Sequence, residues 1–110
     1  MIESSFQKLK NQLGESTELS DEHRGELTKL VNTLEEEIQD LARTRPDDSS
    51  SISGFAQLST REAIRESKRP DLLKHSLDGL SASVVGLESD HPKITAVVDR
   101  MCTLLSNMGI

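Results

Sequence analysis

Apolar residues recur in two segments of the chain with the spacing of a packed helix. Leu27, Val31, Leu34, Ile38 and Leu41 form the first row, and Leu73, Leu77, Leu80, Val84 and Leu87 form the second. Steps of four and three residues keep one stripe of a helix against a neighbouring helix. The pattern therefore predicts an all-α fold with coiled-coil-like packing.

Helix boundaries in the first half follow from capping residues and proline. The first predicted helix begins at Ile2, and we expect Gly14 to end it in the left-handed conformation. Ser20 is a typical N-cap for the second helix, which continues through Leu41 before Pro46 stops it. This antiparallel pair is the first predicted hairpin, residues 2–45.

The second predicted hairpin covers residues 70–110. Pro70 begins its first helix, which we expect to end near Glu88, and Pro92 begins its second helix, because proline is tolerated in a first turn. Residues 109–110 have the composition of a helix C-cap. Gly79 and Gly86 lie in the helix that begins at Pro70. Either these glycines allow the backbone of a neighbouring helix to approach closely, or the helix merely tolerates them.

Residues 46–69 differ in composition from both hairpins. Pro46 is followed by two aspartates and a run of serines, which have little apolar surface to bury. Ser59 and Glu62 have capping-box spacing, so a short helix is expected late in this segment. We therefore predict one helical domain, residues 1–110, in which a serine-rich linker with a short helix joins the hairpins.

The predicted lengths within the first hairpin suggest a second copy of the chain. The second helix would span roughly 35 Å at 1.5 Å per residue, about twice the first, and part of its apolar row would lack a partner. The apolar fraction is only 34%, so an enlarged core favours a homodimer. The residues expected to form its interface are Leu34, Ile38 and Leu41.

Charge argues against several classes of partner. The net charge is −6, and no segment has the basic surplus that nucleic acid or an anionic membrane surface favours. No apolar run is long enough to cross a bilayer, and the N-terminus lacks the pattern of a secretory signal. The sequence predicts a cytoplasmic protein with no nucleic-acid or membrane partner.

Candidate chemistry is sparse. Glu88 and His91 have the Glu-x-x-His spacing of di-iron bundles, but that site class needs two such pairs. His75 lies between two aspartates at helical spacing, which indicates a salt-bridging face or a pH switch. Cys102 is the single cysteine, expected as a buried inert thiol or, alternatively, a reactive one. We therefore expect neither catalysis nor a cofactor.

Residues 89–110 resemble the C-terminal end of a bacterial family described as domain of unknown function 4404; their sequence is SDHPKITAVVDRMCTLLSNMGI. Residues 19–30 resemble its first block, and the resemblance covers about the first 45 and last 40 residues. The serine-rich residues 46–69 have no counterpart there. The resemblance implies a helical domain of bacterial origin and no assigned activity.

Three functional hypotheses follow. The leading one is a non-catalytic protein–protein interaction or oligomerisation module. The alternative is a small-ligand or metal-binding bundle that uses Glu88, His91 and His75. A third hypothesis is adaptor binding through the serine-rich segment, which would make residues 47–58 dispensable for stability.

Overall fold

The chain forms five helices over the part that the structure describes. The structure is a computed structural model, described for the backbone of residues 2–108 and the side chains of residues 4–108. The helices are α1 (Ile2–Glu15), α2 (Asp21–Leu41), α3 (Pro46–Ala63), α4 (Pro70–Ser83) and α5 (Pro92–Met108). Residues 2–108 contain no strand. The predicted all-α class is confirmed, and the predicted C-cap at 109–110 lies outside the described residues.

The start of α2 follows the predicted capping chemistry. The Ser20 hydroxyl accepts a hydrogen bond from the His23 amide at 3.1 Å, which satisfies one of the amides left free at a helix start. The first turn also carries Asp21 and Glu22, whose charges favour the positive end of the helix dipole. These local interactions place the start of α2 where the sequence predicted it.

The end of α1 differs from the prediction. Gly14 lies inside the helix, and Gly86 is the one glycine with positive φ among the described residues. Instead, the Arg24 guanidinium of α2 donates to the carbonyl of Leu13 in the last turn of α1 and to the carbonyls of Ser16 and Leu19 in the loop that follows. A side chain of the next helix thus takes the place of the predicted glycine cap.

The helices form a closed ring around the core. Around this ring α1 lies beside α2, α2 beside α5, α5 beside α4, α4 beside α3, and α3 beside α1. In addition α3 contacts α2 and α5, so it touches all four other helices. The ring brings the two apolar rows into one core.

The serine-rich segment forms the central helix of this bundle. The prediction of a linker through about Leu58 is wrong, because α3 is a helix of 18 residues. Its buried face is made mostly of small side chains: Ser49, Ser53, Ala56, Ser59, Thr60 and Ala63. The buried hydroxyls remain hydrogen-bonded, as Ser53 Oγ donates to the Ser49 carbonyl and Thr60 Oγ1 to the Ala56 carbonyl, each at 2.8 Å. Small volume and satisfied hydroxyls let neighbouring helices pack closely on α3.

The second apolar row does not lie on one helix. The predicted end near Glu88 is wrong, because α4 ends at Ser83 and a turn follows. Val84 and Leu87 lie in this turn and are buried, and Gly86 between them has φ 91°. A left-handed residue at that position favours glycine, since a Cβ would be strained there.

Gly79 is required for close packing between α3 and α4. A Cβ built on Gly79 would lie 2.6 Å from Cδ1 and 2.7 Å from Cζ of Phe55, and closer still to Cε1. The expected approach of a neighbouring backbone is not found at either glycine: the neighbour of Gly79 is the ring of Phe55, and a Cβ built on Gly86 would meet no atom within 4 Å.

Candidate functional site

An open groove runs between α4 and α5. Its volume is about 570 Å³, and it is lined by Pro70, Leu73, Lys74, Leu77, Asp78, Ser81, Cys102, Thr103 and Ser106. Ser81 near the end of α4 meets Cys102 of α5, and Pro70 at the start of α4 shares the groove with Ser106 of α5. From Pro70 to Ser81 the groove extends roughly 16 Å at 1.5 Å per residue, about three helical turns.

The groove has an apolar floor and a polar rim. Leu73 is buried, while Leu77 and Cys102 are half-buried and face the groove. On the rim the Lys74 ammonium lies 3.0 Å from Asp78 Oδ2, so these two charges satisfy each other. The groove therefore offers a ligand mainly the apolar surface of its floor.

Cys102 lies at the end of the groove nearest the α4–α5 turn, with its sulfur 3.5 Å from Ser81 Oγ. Burial raises the pKa of this thiol above its ordinary value, and the charges of Asp99 and Asp78 raise it further, whereas the Ser81 hydrogen bond lowers it. The thiolate is the nucleophilic form of cysteine, and a raised pKa depletes it at neutral pH. The environment therefore favours an inert thiol over the reactive alternative.

The predicted Glu88–His91 pair does not form a ligand set. Glu88 Oε2 accepts a hydrogen bond from the Gly86 amide at 3.0 Å, within the turn. The His91 amide donates to the Leu87 carbonyl at 2.8 Å, so this residue braces the same turn through its backbone. The residues that the structure describes contain no group of three or more histidine, cysteine or acidic side chains placed to hold a metal ion.

His75 is exposed on α4. Both predicted acidic neighbours have other partners: Asp71 Oδ2 lies 2.9 Å from Arg69 Nη2, and Asp78 pairs with Lys74. The hydrogen bond with Asp71 raises the pKa of Arg69, and the same bond lowers the pKa of Asp71. His75 itself takes part in none of the described ion pairs, so a salt bridge from His75 to either aspartate is not found.

The three predicted interface residues, Leu34, Ile38 and Leu41, are in the core. Each has a relative exposure of 0% within one copy of the chain. Helix α3 covers the part of α2 that α1 was expected to leave bare, and Ser49 Oγ reaches the Ile38 carbonyl at 3.5 Å. Side chains without accessible surface have none to offer to a second copy, so the reason for placing an interface there is removed.

A smaller cavity of about 330 Å³ lies where the C-terminal ends of α1 and α3 meet. Its lining mixes Arg61 and Arg65 with three glutamates, and Arg65 already pairs with Glu62 at 2.7 Å. A lining that carries several charges of both signs is typical of a solvated crevice. The α4–α5 groove is therefore the stronger candidate.

Sequence analysis missed the groove for a specific reason. Leu77 was assigned to a core stripe, and Thr103 and Ser106 were assigned no role. Small side chains one turn apart on α5, at 102 and 106, were the available signal, since they leave room beside the facing helix.

None of the described helices has the length and apolar character that crossing a membrane demands. Comparison with protein-family models, curated proteins and solved structures gives no match.

Proposed function

We propose that this chain is a non-catalytic protein–protein interaction module whose binding surface is the α4–α5 groove. The observation that carries the proposal is an open, three-turn groove with the apolar floor Leu73, Leu77 and Cys102. An amphipathic helix binds such a surface by inserting apolar side chains at helical spacing.

The balance of the lining supports a protein partner. The rim charges Lys74 and Asp78 pair with each other, and exposed small polar side chains, Ser81, Thr103 and Ser106, line the edges. An apolar centre within a polar rim is the usual anatomy of a protein interface. A helix seated here would lie against α4 and α5 as a third member of the layer.

The proposal is tested with a synthetic 14-residue amphipathic helix that carries leucines at i, i+3, i+4 and i+7. Fluorescence anisotropy of the labelled peptide measures binding, and Thr103→Arg places a long charged side chain in the groove. The matched control is Thr33→Arg on α2, because both threonines are exposed and donate to the carbonyl four residues earlier at 3.1 Å.

We expect saturable binding to the native chain and to Thr33→Arg, and at least a tenfold loss of affinity for Thr103→Arg. Bound peptide should also slow the reaction of Cys102 with a thiol reagent severalfold, because this thiol faces the groove. Absence of binding, or equal binding by both variants, would contradict the proposal.

A small apolar ligand is the second candidate. The groove volume of about 570 Å³ lies within the range of roughly 300–1,000 Å³ that small-molecule sites occupy. If the ligand is a small molecule, the peptide would not slow the reaction of Cys102 with the thiol reagent. Small apolar compounds would slow this reaction in the native chain but not in Thr103→Arg. The metal version, with Glu88, His91 and His75, has no ligand cluster among the described side chains to support it.

Homodimerisation stays a prediction. Light scattering at micromolar concentration measures it directly, and a monomer mass of 12.2 kDa would contradict it. Membership of the family described as domain of unknown function 4404, bacterial origin and cytoplasmic location also stay predictions. Each is compatible with an interaction module.

A further inference from the structure

We propose that the exposed face of α3 is a self-association surface, on which two copies of the chain pair as antiparallel helices with their two-fold axis at Gly54. This face shares no residue with the α4–α5 groove, so the inference goes beyond the proposed function and does not depend on it. The observation behind it is one acidic and one basic side chain placed symmetrically about Gly54, on a face that none of the other described helices covers.

The face is a continuous stripe along α3. Seven residues span nearly two helical turns, so Asp47, Gly54 and Arg61 lie on the same side of the helix. Residues three and four positions to either side of Gly54 flank this line. The members of the stripe, called the α3 face below, are Asp47, Ser50, Ser51, Gly54, Gln57, Leu58 and Arg61. All are exposed except Gln57, which is half-buried, although α3 contacts the four other helices elsewhere on its surface.

Opposite charges mark the two ends of the α3 face. Asp47 and Arg61 are separated by about 21 Å at 1.5 Å per residue. Among the described side chains neither forms an ion pair, whereas their neighbours in sequence, Asp48 and Glu62, both do. Arg61 also borders the smaller cavity, but none of its glutamates pairs with this guanidinium. Both charges are therefore available to a partner.

A second copy supplies the complement of this face. In a two-fold dimer the same surface is used twice, so that residue i of one copy faces residue j of the other, and j faces i. With the axis at Gly54, Asp47 of each copy faces Arg61 of the other, because both lie seven residues from the axis. Leu58, which is 41% exposed, faces Ser50 of the other copy, because both lie four residues from the axis. The face thus matches itself in charge and in side-chain size.

The middle of the α3 face leaves room for a second helix. A Cβ built on Gly54 would meet no atom within 4 Å, so the space above the centre of the helix is open. Packed helices have interaxial distances of about 8–10 Å, which depend on the side chains at the contact. Glycine at the crossing point permits the short end of that range, which brings the side chains on either side into contact.

Two observations set the expected strength of the dimer. The seven residues of the α3 face are fewer than the roughly 20–30 residues that each partner contributes to a standard interface. Each copy also carries a net charge of −6, although at about 0.15 M salt that repulsion is screened beyond about 8 Å, and the facing Asp47 and Arg61 are closer than this. We therefore expect a dimer that dissociates on dilution.

Sedimentation equilibrium from about 5 to about 500 μM measures the association. The weight-average mass should rise from 12.2 kDa toward twice that value. Asp47→Arg and Arg61→Asp each place like charges opposite one another, so each should weaken its own dimer at least fivefold. An equimolar mixture of these two variants should associate as tightly as the native chain, because every facing pair in the mixed dimer is again opposite in charge.

Two matched controls separate the interface from effects on folding. Asp21→Arg makes the same charge change at another exposed acid in the first turn of a helix, and it should leave association unchanged. Gly54→Gln places a side chain on the axis and should weaken the dimer at least tenfold. Gly25→Gln on α2, where a Cβ would also meet no atom within 4 Å, should not weaken it. Circular dichroism and urea unfolding show that each variant is folded.

A mass of 12.2 kDa at every concentration would overturn the choice of a second copy. Full association of both single charge variants, a mixture no tighter than either variant alone, or equal association of Gly54→Gln and Gly25→Gln would overturn the α3 interface. Loss of the dimer in Thr103→Arg with its retention in the α3 variants would move the second copy to the groove. Failure of the peptide to bind the groove would contradict the proposed function and leave this inference standing.

Discussion

Substitution of Gly79 by alanine tests the packing that places α4, and with it one wall of the groove. The new Cβ would lie 2.6 and 2.7 Å from two ring carbons of Phe55 on α3. Carbon atoms pack at roughly 3.5–4.0 Å, so the ring must shift by about 1 Å or swing away from α4. A half-buried ring that swings outward loses part of its apolar contact.

Two opposing effects set the magnitude. Alanine is favoured over glycine inside a helix by about 1 kcal/mol, and overpacking of a well-packed site costs about 1–3 kcal/mol. With a mid-range steric cost of about 2 kcal/mol, Gly79→Ala should destabilise the chain by about 1 kcal/mol. The matched control is Gly25→Ala in α2, where a Cβ would meet no atom within 4 Å. That control should stabilise the chain by about 0.5–1 kcal/mol.

Urea unfolding followed by circular dichroism measures both free energies, and a double mutant isolates the steric effect. In the Phe55→Ala background the ring is absent, so Gly79→Ala should become stabilising, as Gly25→Ala is in the native chain. If Gly79→Ala stabilised the native chain as much as Gly25→Ala does, the Phe55 ring would not occupy the space over Gly79. The described contact between α3 and α4 would then be incorrect.

Three further predictions test the core, the α1 cap and the thiol. Deletion of residues 47–58 should abolish the cooperative unfolding transition, because it removes most of central α3; a stable folded deletion mutant would favour the adaptor hypothesis. Arg24→Lys should cost about 1–3 kcal/mol in urea unfolding, since one ammonium cannot replace guanidinium bonds to three carbonyls. Asp99→Asn should lower the pKa of Cys102, because a nearby negative charge is removed. Its pH profile of thiol alkylation should shift to lower pH, and an unchanged profile would refute that coupling.

The candidate site was less predictable than the helices that form it. Cys102 and Leu77 were recognised as apolar positions, but the groove exists only because α4 and α5 pack together with Ser81 beside Cys102. The predicted ligand residues Glu88 and His91 are neighbours in sequence, yet the turn directs the described hydrogen bonds of both residues to its own backbone groups. Spacing along a chain specifies candidates for chemistry, whereas convergence in space requires the packing of separate elements.

By itself the sequence determined the helical class, the N-cap of α2 at Ser20, the starts of α4 and α5 at Pro70 and Pro92, and the burial of Leu27 and Val31 at the start of the first apolar row. These features depend on local capping, on proline geometry and on periodicity, all of which act within a few residues.

Only the tertiary structure decided that the serine-rich segment is the central helix and that Leu34, Ile38 and Leu41 lie beneath it. Serine resembles a linker residue by hydropathy, because its hydroxyl is costly to bury alone. Inside α3 the buried hydroxyls bond to carbonyls of the preceding turn, and their small volume then permits close packing from four sides. That advantage depends on neighbours distant in sequence, which no local pattern specifies.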